Sequence, residues 1–350
     1  MEVFLLGDEC ARCWAFSEAG LAWPQIDKTY DFKGWRAMLV QVRGDWEFLA
    51  EVLKVPRWDC VSNCCFLCKA AMTDEYQWTS TGPAAPWRST LKTHDSWLAD
   101  LAAQNIAPSG LFDVQGLRLE MLMIDTLHCV DAGGVAAHVI GNCFAEIAPN
   151  FGCNHKEQAA GLNADLKSWY ATQSQNIRDC KLQGALTWER IVAAKEYPKL
   201  RAKGAQCRHM AKYCSELCGR FDSGSTHDRR RRLISDLLYR FYCIIEEGSA
   251  ALSREDLNEL EQISRIFSGT YMGLAREALA AEIRFWKATP KFHLFQHLLE
   301  LQAKIANPTR FWAYADEDLQ RHISHIAKSC SALRLVPVVL YKWVILAFDT

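Results

Sequence analysis

The sequence predicts an α+β fold in which a small mixed sheet is flanked by helices and split by a large all-helical insertion, leaving helix predominant overall. Three observations predict it. Residues 35–46 and 117–124 alternate buried-type and other side chains at the two-residue period of a strand. Each of these stretches ends in an aspartate, Asp45 and Asp125. Between about 143 and 294 the pattern changes to apolar residues three and four apart, the period of packed helices.

The bulk composition sets the limits. A chain of 350 residues can bury a large core and has room for two domains or one domain with an insertion. Half the residues are hydrophobic and 23% are charged, a globular composition and not a disordered one. A formal net charge of −1 does not announce a nucleic-acid binder, although a balanced total can hide a local basic patch. The 15 cysteines are spread along the chain, and the opening residues lack the basic start and apolar core of a signal peptide. Reduced thiols with one or two metal clusters fit this better than a disulfide framework. The longest apolar run, 335–348, is interrupted by Lys342 and is too short for a bilayer, so it reads as core.

In chain order, residues 1–30 are irregular; Cys10 and Cys13 have half a zinc spacing but no second pair nearby. Residues 31–142 form the first part of the core. The strand at 35–46 ends at Gly44–Asp45, and residues 47–53 read as helix. Residues 60–94 hold the motif Cys60-x3-Cys64-Cys65-x2-Cys68. Two thiolates separated by two residues can share a tetrahedral zinc, with Cys60, Cys64 and His94 as candidates for the remaining positions. The competing reading is an apolar Cys-rich turn. Residues 79–89 are loop by their Pro and Gly content, and 97–103 form a short helix.

The strand ending at Asp125 leads through a His-and-Cys corner, His128–Cys129, into a small-residue helix start at 132–134. A carboxylate at the end of a buried strand is costly unless it is paired, hydrogen-bonded or bound to a metal. Turn formation or helix capping is its bland explanation, as a Gly-Asp turn is for Asp45.

The helical insertion, 143–285, contains helical patterns at 189–195, 233–247 and 256–286, the last started by Ser253. It also holds the one basic segment. Residues 195–232 carry eleven Lys or Arg against four acids, ending in Arg229, Arg230, Arg231 and Arg232 after a Gly-Ser loop. That run could neutralise phosphates or direct nuclear import, or simply be a solvated helix start. Cys207, His209, Cys214 and Cys218 share the segment, at spacings that match no zinc pattern. Residues 286–350 complete the core. His293 and His297 lie four apart without the glutamate of a zinc protease, and read as core or surface histidines. Asp316, Glu317 and Asp318 head a helix, where acids suit the dipole. No P-loop, dinucleotide fingerprint or nucleophile elbow occurs.

Asp45, Asp125 and Glu317 together suggest two-metal phosphoryl transfer, in which carboxylates hold paired Mg²⁺ ions over a phosphodiester. The roughly 190 residues between the last two acids are too long for a loop and suit an inserted helical domain.

The blocks GDWEFLAEVLKVPRWDCVSNCCFLCKA, IDTLHCVDAGGVAAHVIGN, KATPKFHLFQHLLE and YADEDLQ, scattered over about 34–343, resemble DDE transposases of eukaryotic DNA transposons. The likeness is to the CACTA and Kyakuja–Dileera–Zisupton groups, and in particular to the multicopy transposase-like proteins of dinoflagellates. The most specific block is Asp125-x-Leu127-His128 with its following Asp131-Ala132-Gly133; an extra glycine, Gly134, departs from the family pattern. The resemblance implies an RNase H-like core, Mg²⁺ or Mn²⁺ on Asp45, Asp125 and Glu317, and His128 beside the metals. Glu282 or Asp316 are alternatives for the third acid. It further implies phosphodiester hydrolysis and strand transfer on DNA, in a soluble nuclear protein able to assemble with its own copies. The alternative it leaves is an inactive descendant that binds zinc and nucleic acid. A third possibility, from the residues alone, is an unrelated helical Cys-rich structural protein.

Overall fold

Parallel pairing of two strands sets the centre of the structure. The computed structural model describes residues 2–6, 36–73, 75–114 and 116–328. Strand β2 (Arg36–Gly44) lies between β1 (Glu2–Leu6), which is antiparallel to it, and β3 (Leu122–Ile124), which is parallel. The parallel register pairs Val42 with Leu122, Arg43 with Met123 and Gly44 with Ile124. Asp45 and Asp125 are therefore the next residue on each of two neighbouring strands.

The alternation over 117–124 predicts a longer strand than forms. Leu119–Met121 is a 3₁₀ turn. The start of helix α2 (His94–Ala103) holds this segment: the His94 N–H donates to Glu120 Oε1 at 2.9 Å, and the Leu119 N–H donates to His94 Nδ1 at 3.2 Å. With its N–H committed to the His94 ring, Leu119 does not offer that group to a ladder. The outer edge of β3 is closed by an amide, since Gln302 accepts from the Ile124 N–H at 2.7 Å and donates to the Leu122 carbonyl at 2.8 Å.

Helix α1 (Trp46–Leu53) follows β2 directly. After β3 the chain makes a π-type turn, Leu127–Asp131, and reverses at Gly133, whose φ of 62° lies in the region that favours glycine. Helix α3 (Val135–Ile147) then runs through the core, with every residue but Glu146 buried. Its Gly141 is required by packing, because a Cβ there would lie 2.5 Å from the Lys199 Cα.

The remaining helices are α4 (His155–Ala171), α5 (Gln175–Asp179), α6 (Trp188–Ile191), α7 (Gly204–Arg220), α8 (Thr226–Glu247), α9 (Arg254–Ala280) and α10 (Pro290–Glu300). Helices α7, α8 and α9 pack in succession, α3 rests on α7, and α10 rests on α9. Ser253 caps α9 as predicted, with Asp256 completing a capping box. That helix stops at Ala280, short of the expected end. Glu282 (φ 54°) and Trp286 (φ 52°) turn the chain, and Trp286 is anchored on α3 through Asn142 Oδ1 at 2.7 Å and Glu146 Oε1 at 2.6 Å. The pattern at 189–195 yields only the single turn of α6, ended before Lys195 at φ 61°.

All of these elements belong to one compact unit, Met1–Phe311. A second unit, Trp312–Thr350, contains helix α11 (Tyr314–Lys328). Cys10, Cys13 and the apolar run 335–348 lie outside the described residues. No helix among the described residues is long and apolar enough to cross a membrane.

Candidate functional site

Two neighbouring features of the larger unit carry chemistry. The first is a sulfur and nitrogen cluster. The Cys-rich segment folds into a tight knuckle: the Cys64 N–H bonds the Ala70 carbonyl at 2.9 Å, while the Leu67 and Ala70 N–H groups donate to the Cys65 and Cys68 sulfurs at 3.3 and 3.4 Å. Across from it, helix α10 carries His293 and His297 one turn apart on one face. Cys68 Sγ lies 3.3 Å from His293 Nε2 and 3.4 Å from His297 Nε2, and the two Nε2 atoms are 3.0 Å apart. One ligand atom from each of Cys65, Cys68, His293 and His297 falls within 4.8 Å of all the others, and all four residues are buried.

Zinc bonds of about 2.0–2.3 Å produce tetrahedral edges of about 3.3–3.8 Å, so this Cys2His2 set can hold a metal ion such as zinc. Burial opposes ionisation of Cys65, but the Cys68 thiol and the two imidazoles outweigh it and bring its pKa well below the ordinary thiol value. Cys68 moves the other way, raised by burial and by Cys65. Burial and neighbouring His297 lower the pKa of His293, keeping it in the neutral form that binds metals. Trp87 packs edge-on against both imidazoles, at 4.4 and 5.2 Å between ring centres.

The other predicted zinc ligands do different work. Cys64 is pushed up to about 12 by burial and bonds the Ala70 carbonyl at 3.4 Å. Cys60 faces Ser62 Oγ at 3.7 Å. His94 is engaged by Leu119 and stacks near Trp97 and Phe112. The side chains that do stand against Cys68, His293 and His297, are more than two hundred residues away in sequence, which spacing alone could not reveal.

The second feature is a cleft of about 560 Å³ whose lining includes both Asp45 and Asp125. Each aspartate also has a local role. Asp45 caps α1 by accepting from the Phe48 N–H at 2.6 Å. Asp125, 3% exposed, accepts from the Leu127 and His128 N–H groups at 3.0 and 3.2 Å, and it pairs with His128 Nδ1. His128 thus stands beside Asp125, where the sequence places it. Lys199, Lys287 and Lys291 line the same cleft, as does His138. Burial and these three lysines bring the His138 pKa down to about 3, so its ring is neutral. The Lys291 ammonium donates to the His128 carbonyl at 2.6 Å, and burial lowers its pKa. Phe66 of the knuckle and Leu294 of α10 form part of the cleft wall, so the two features share a boundary.

Glu317 is exposed in the first turn of α11, in the second unit, with Asp316 half-buried beside it. Glu282 is exposed after α9 and does not line the cleft. Among the described residues, the groups of three or more close ligands contain cysteine and histidine and no carboxylate.

The arginine run makes contacts within the protein. It forms the start of α8, and each member meets an acid or a carbonyl. Arg229 Nε bonds the Gly224 carbonyl at 2.9 Å, and Arg230 pairs with Glu277. Arg231 is buried against Asp228 at 2.9 Å and Glu146 at 3.4 Å, and Arg232 pairs with Asp222 at 3.4 Å. Arg231 is the buried member of the run, while Arg229 and Arg232 are exposed.

No protein-family model matches this chain, and no curated protein matches it. The candidate site therefore consists of a cleft lined by two strand-end aspartates and three lysines, beside a Cys2His2 set that could hold a metal ion.

Proposed function

We propose that the chain is a divalent-metal-dependent polynucleotidyl transferase: a transposase, or a protein derived from one, built on an RNase H-like core. The observation that carries this reading is the parallel register of Gly44 with Ile124. It sets Asp45 and Asp125 side by side at the ends of adjacent strands, in a cleft that both line. The sequence resemblance to DDE transposases, whose blocks include the same two aspartates, agrees with it.

The residues suit the chemistry. Hard carboxylate oxygens match Mg²⁺ or Mn²⁺, which retain several waters and need few protein ligands. When bound, such ions activate the attacking oxygen and stabilise the leaving one. Asp45 and Asp125 would hold them, and His128 fixes the Asp125 carboxylate in place. Lys199 and Lys287 would neutralise phosphates of a DNA strand lying in the cleft. Glu317 is the proposed third acid, by the sequence resemblance alone, and the nucleus is the compartment this reading implies. The Cys2His2 centre takes the structural part, with zinc as the proposed ion, holding α10 and the knuckle together as one wall.

A second reading has a specific observation in its favour. The Asp125 carboxylate is already engaged by two backbone N–H groups and by His128. An inactive descendant that binds zinc and nucleic acid would keep these contacts for stability alone.

A DNA-nicking assay in Mg²⁺ and in Mn²⁺ separates the two. Wild type should nick, and Asp45→Asn and Asp125→Asn should each lose roughly two to three orders of magnitude, as removal of several kcal/mol of transition-state stabilisation requires. DNA binding without nicking in the wild type supports the inactive descendant. Equal nicking by wild type and both variants would overturn the proposed centre.

A further inference from the structure

Away from the cleft, three more cysteines converge inside the helical region. Cys143 comes from α3, and Cys214 and Cys218 come from one face of α7, one turn apart. All three are free thiols with no measurable exposure, and their sulfurs lie within 4.8 Å of one another. Among the described residues no fourth Cys, His, Asp or Glu joins the group.

Three buried thiols can fill a core as small hydrophobes. What does not suit an apolar filling is the charge placed near them. Arg231 is 5% exposed and lies within electrostatic reach of Cys143 and Cys218. Its Nε–H is buried and has no hydrogen-bond partner, although its other nitrogens meet Asp228, Glu146 and the Phe221 carbonyl. An unpaired buried donor is costly, and a net negative group close by offsets that cost. Ionised sulfurs around a cation form such a group.

We propose that Cys143, Cys214 and Cys218 form a second metal site, a three-coordinate thiolate site for a soft cation of the monovalent copper or zinc-group type. Thiolates select such ions over Mg²⁺ and Ca²⁺. A three-sulfur set with a monovalent ion carries a net charge of −2, and with a divalent ion −1; Arg231, which also pairs with Asp228 and Glu146, is a cation within electrostatic reach of two of the three sulfurs. Binding releases the remaining thiol protons to solvent and involves no change of oxidation state. This site is independent of the proposed activity and shares no residue with the Cys2His2 centre.

Cadmium NMR on the full chain, stripped by chelator under reducing conditions and reloaded with Cd²⁺, tests it. The expected result is two resonances, one in the range of two-sulfur, two-nitrogen coordination and one in the all-sulfur range. Cys214→Ser should remove only the all-sulfur signal, and Cys68→Ser only the mixed one. Cys143→Ala provides the same test should Cys214→Ser fold poorly, and the wild-type spectrum decides without any variant. A single mixed-ligand resonance in the wild type would overturn the site. So would an all-sulfur signal that survives Cys214→Ser, since it would belong to accessible thiols such as Cys153. Metal analysis of the chain as purified then distinguishes copper from zinc as the ion it takes.

Discussion

His227 shows how much one side chain can link. Its Nε2 lies 3.0 Å from Glu146 on α3, and its Nδ1 lies 3.2 Å from Glu277 on α9. The hydrogen bond to Glu146 raises its pKa above the ordinary 6.5, against burial and the Arg231 charge and with help from Asp228. A raised value in the folded state means the folded protein holds the proton more tightly than the unfolded chain. The stabilisation is therefore complete below the ordinary value and is lost as pH rises through the raised one. His227→Gln should cost stability at about pH 5.5 and much less at about pH 8.5, read by denaturant unfolding at both values. An equal cost at both would show that the imidazole acts only through packing. Asp45 and Asp125 make a related point at the same scale. A carboxylate that caps a turn can also line a cleft, so the bland reading and the functional one are compatible for both residues.

Among the elements, α10 joins the most features. One face carries His293 and His297 to the knuckle, Leu294 lines the cleft, and Glu300 reaches Arg88 and Ser264. Breaking the ligand set should therefore loosen the cleft wall as well as release metal. His297→Ala and Cys68→Ser are each expected to remove one zinc per chain and lower the thermal midpoint by several degrees or more, because metal binding contributes directly to folding. His94→Gln and Cys64→Ala should retain the metal. Metal analysis beside thermal melts checks all four, and zinc loss in the last two alone would restore the ligand set expected from sequence. The heptad-like patterns that predict α8 and α9 succeed because those helices bury one face against neighbours. The pattern over 117–124 fails because the start of α2 takes the Leu119 N–H and the Glu120 side chain.

At the scale of the whole molecule, a near-neutral chain has its cations sorted by position. Arg230, Arg231 and Arg232 of α8 pair with acids, while Lys199, Lys287 and Lys291 line the cleft that Asp45 and Asp125 also line. Under the proposed function, Lys199→Gln together with Lys287→Gln should weaken DNA binding and reduce the slope of log affinity against log salt by about 0.9 for each phosphate no longer neutralised. Arg229→Gln with Arg232→Gln should leave that slope unchanged. Binding titrations at several salt concentrations measure both, and the opposite pattern would return the nucleic-acid surface to α8.

The amino-acid sequence determined the helical predominance, the two strand ends at Asp45 and Asp125, and the chelating spacing of Cys65 and Cys68. These are legible because they depend on local period, on turn chemistry and on ligands a few residues apart. Only the tertiary structure decided that His293 and His297 come together with Cys65 and Cys68, that Lys199, Lys287 and Lys291 share a cleft, and that Cys143 meets Cys214 and Cys218. It also decided that Arg231 is buried and not offered to a ligand. Such contacts form between helices and loops far apart in the chain, where packing of apolar faces and the cost of an uncompensated buried charge choose the partner. Sequence spacing carries no record of that choice.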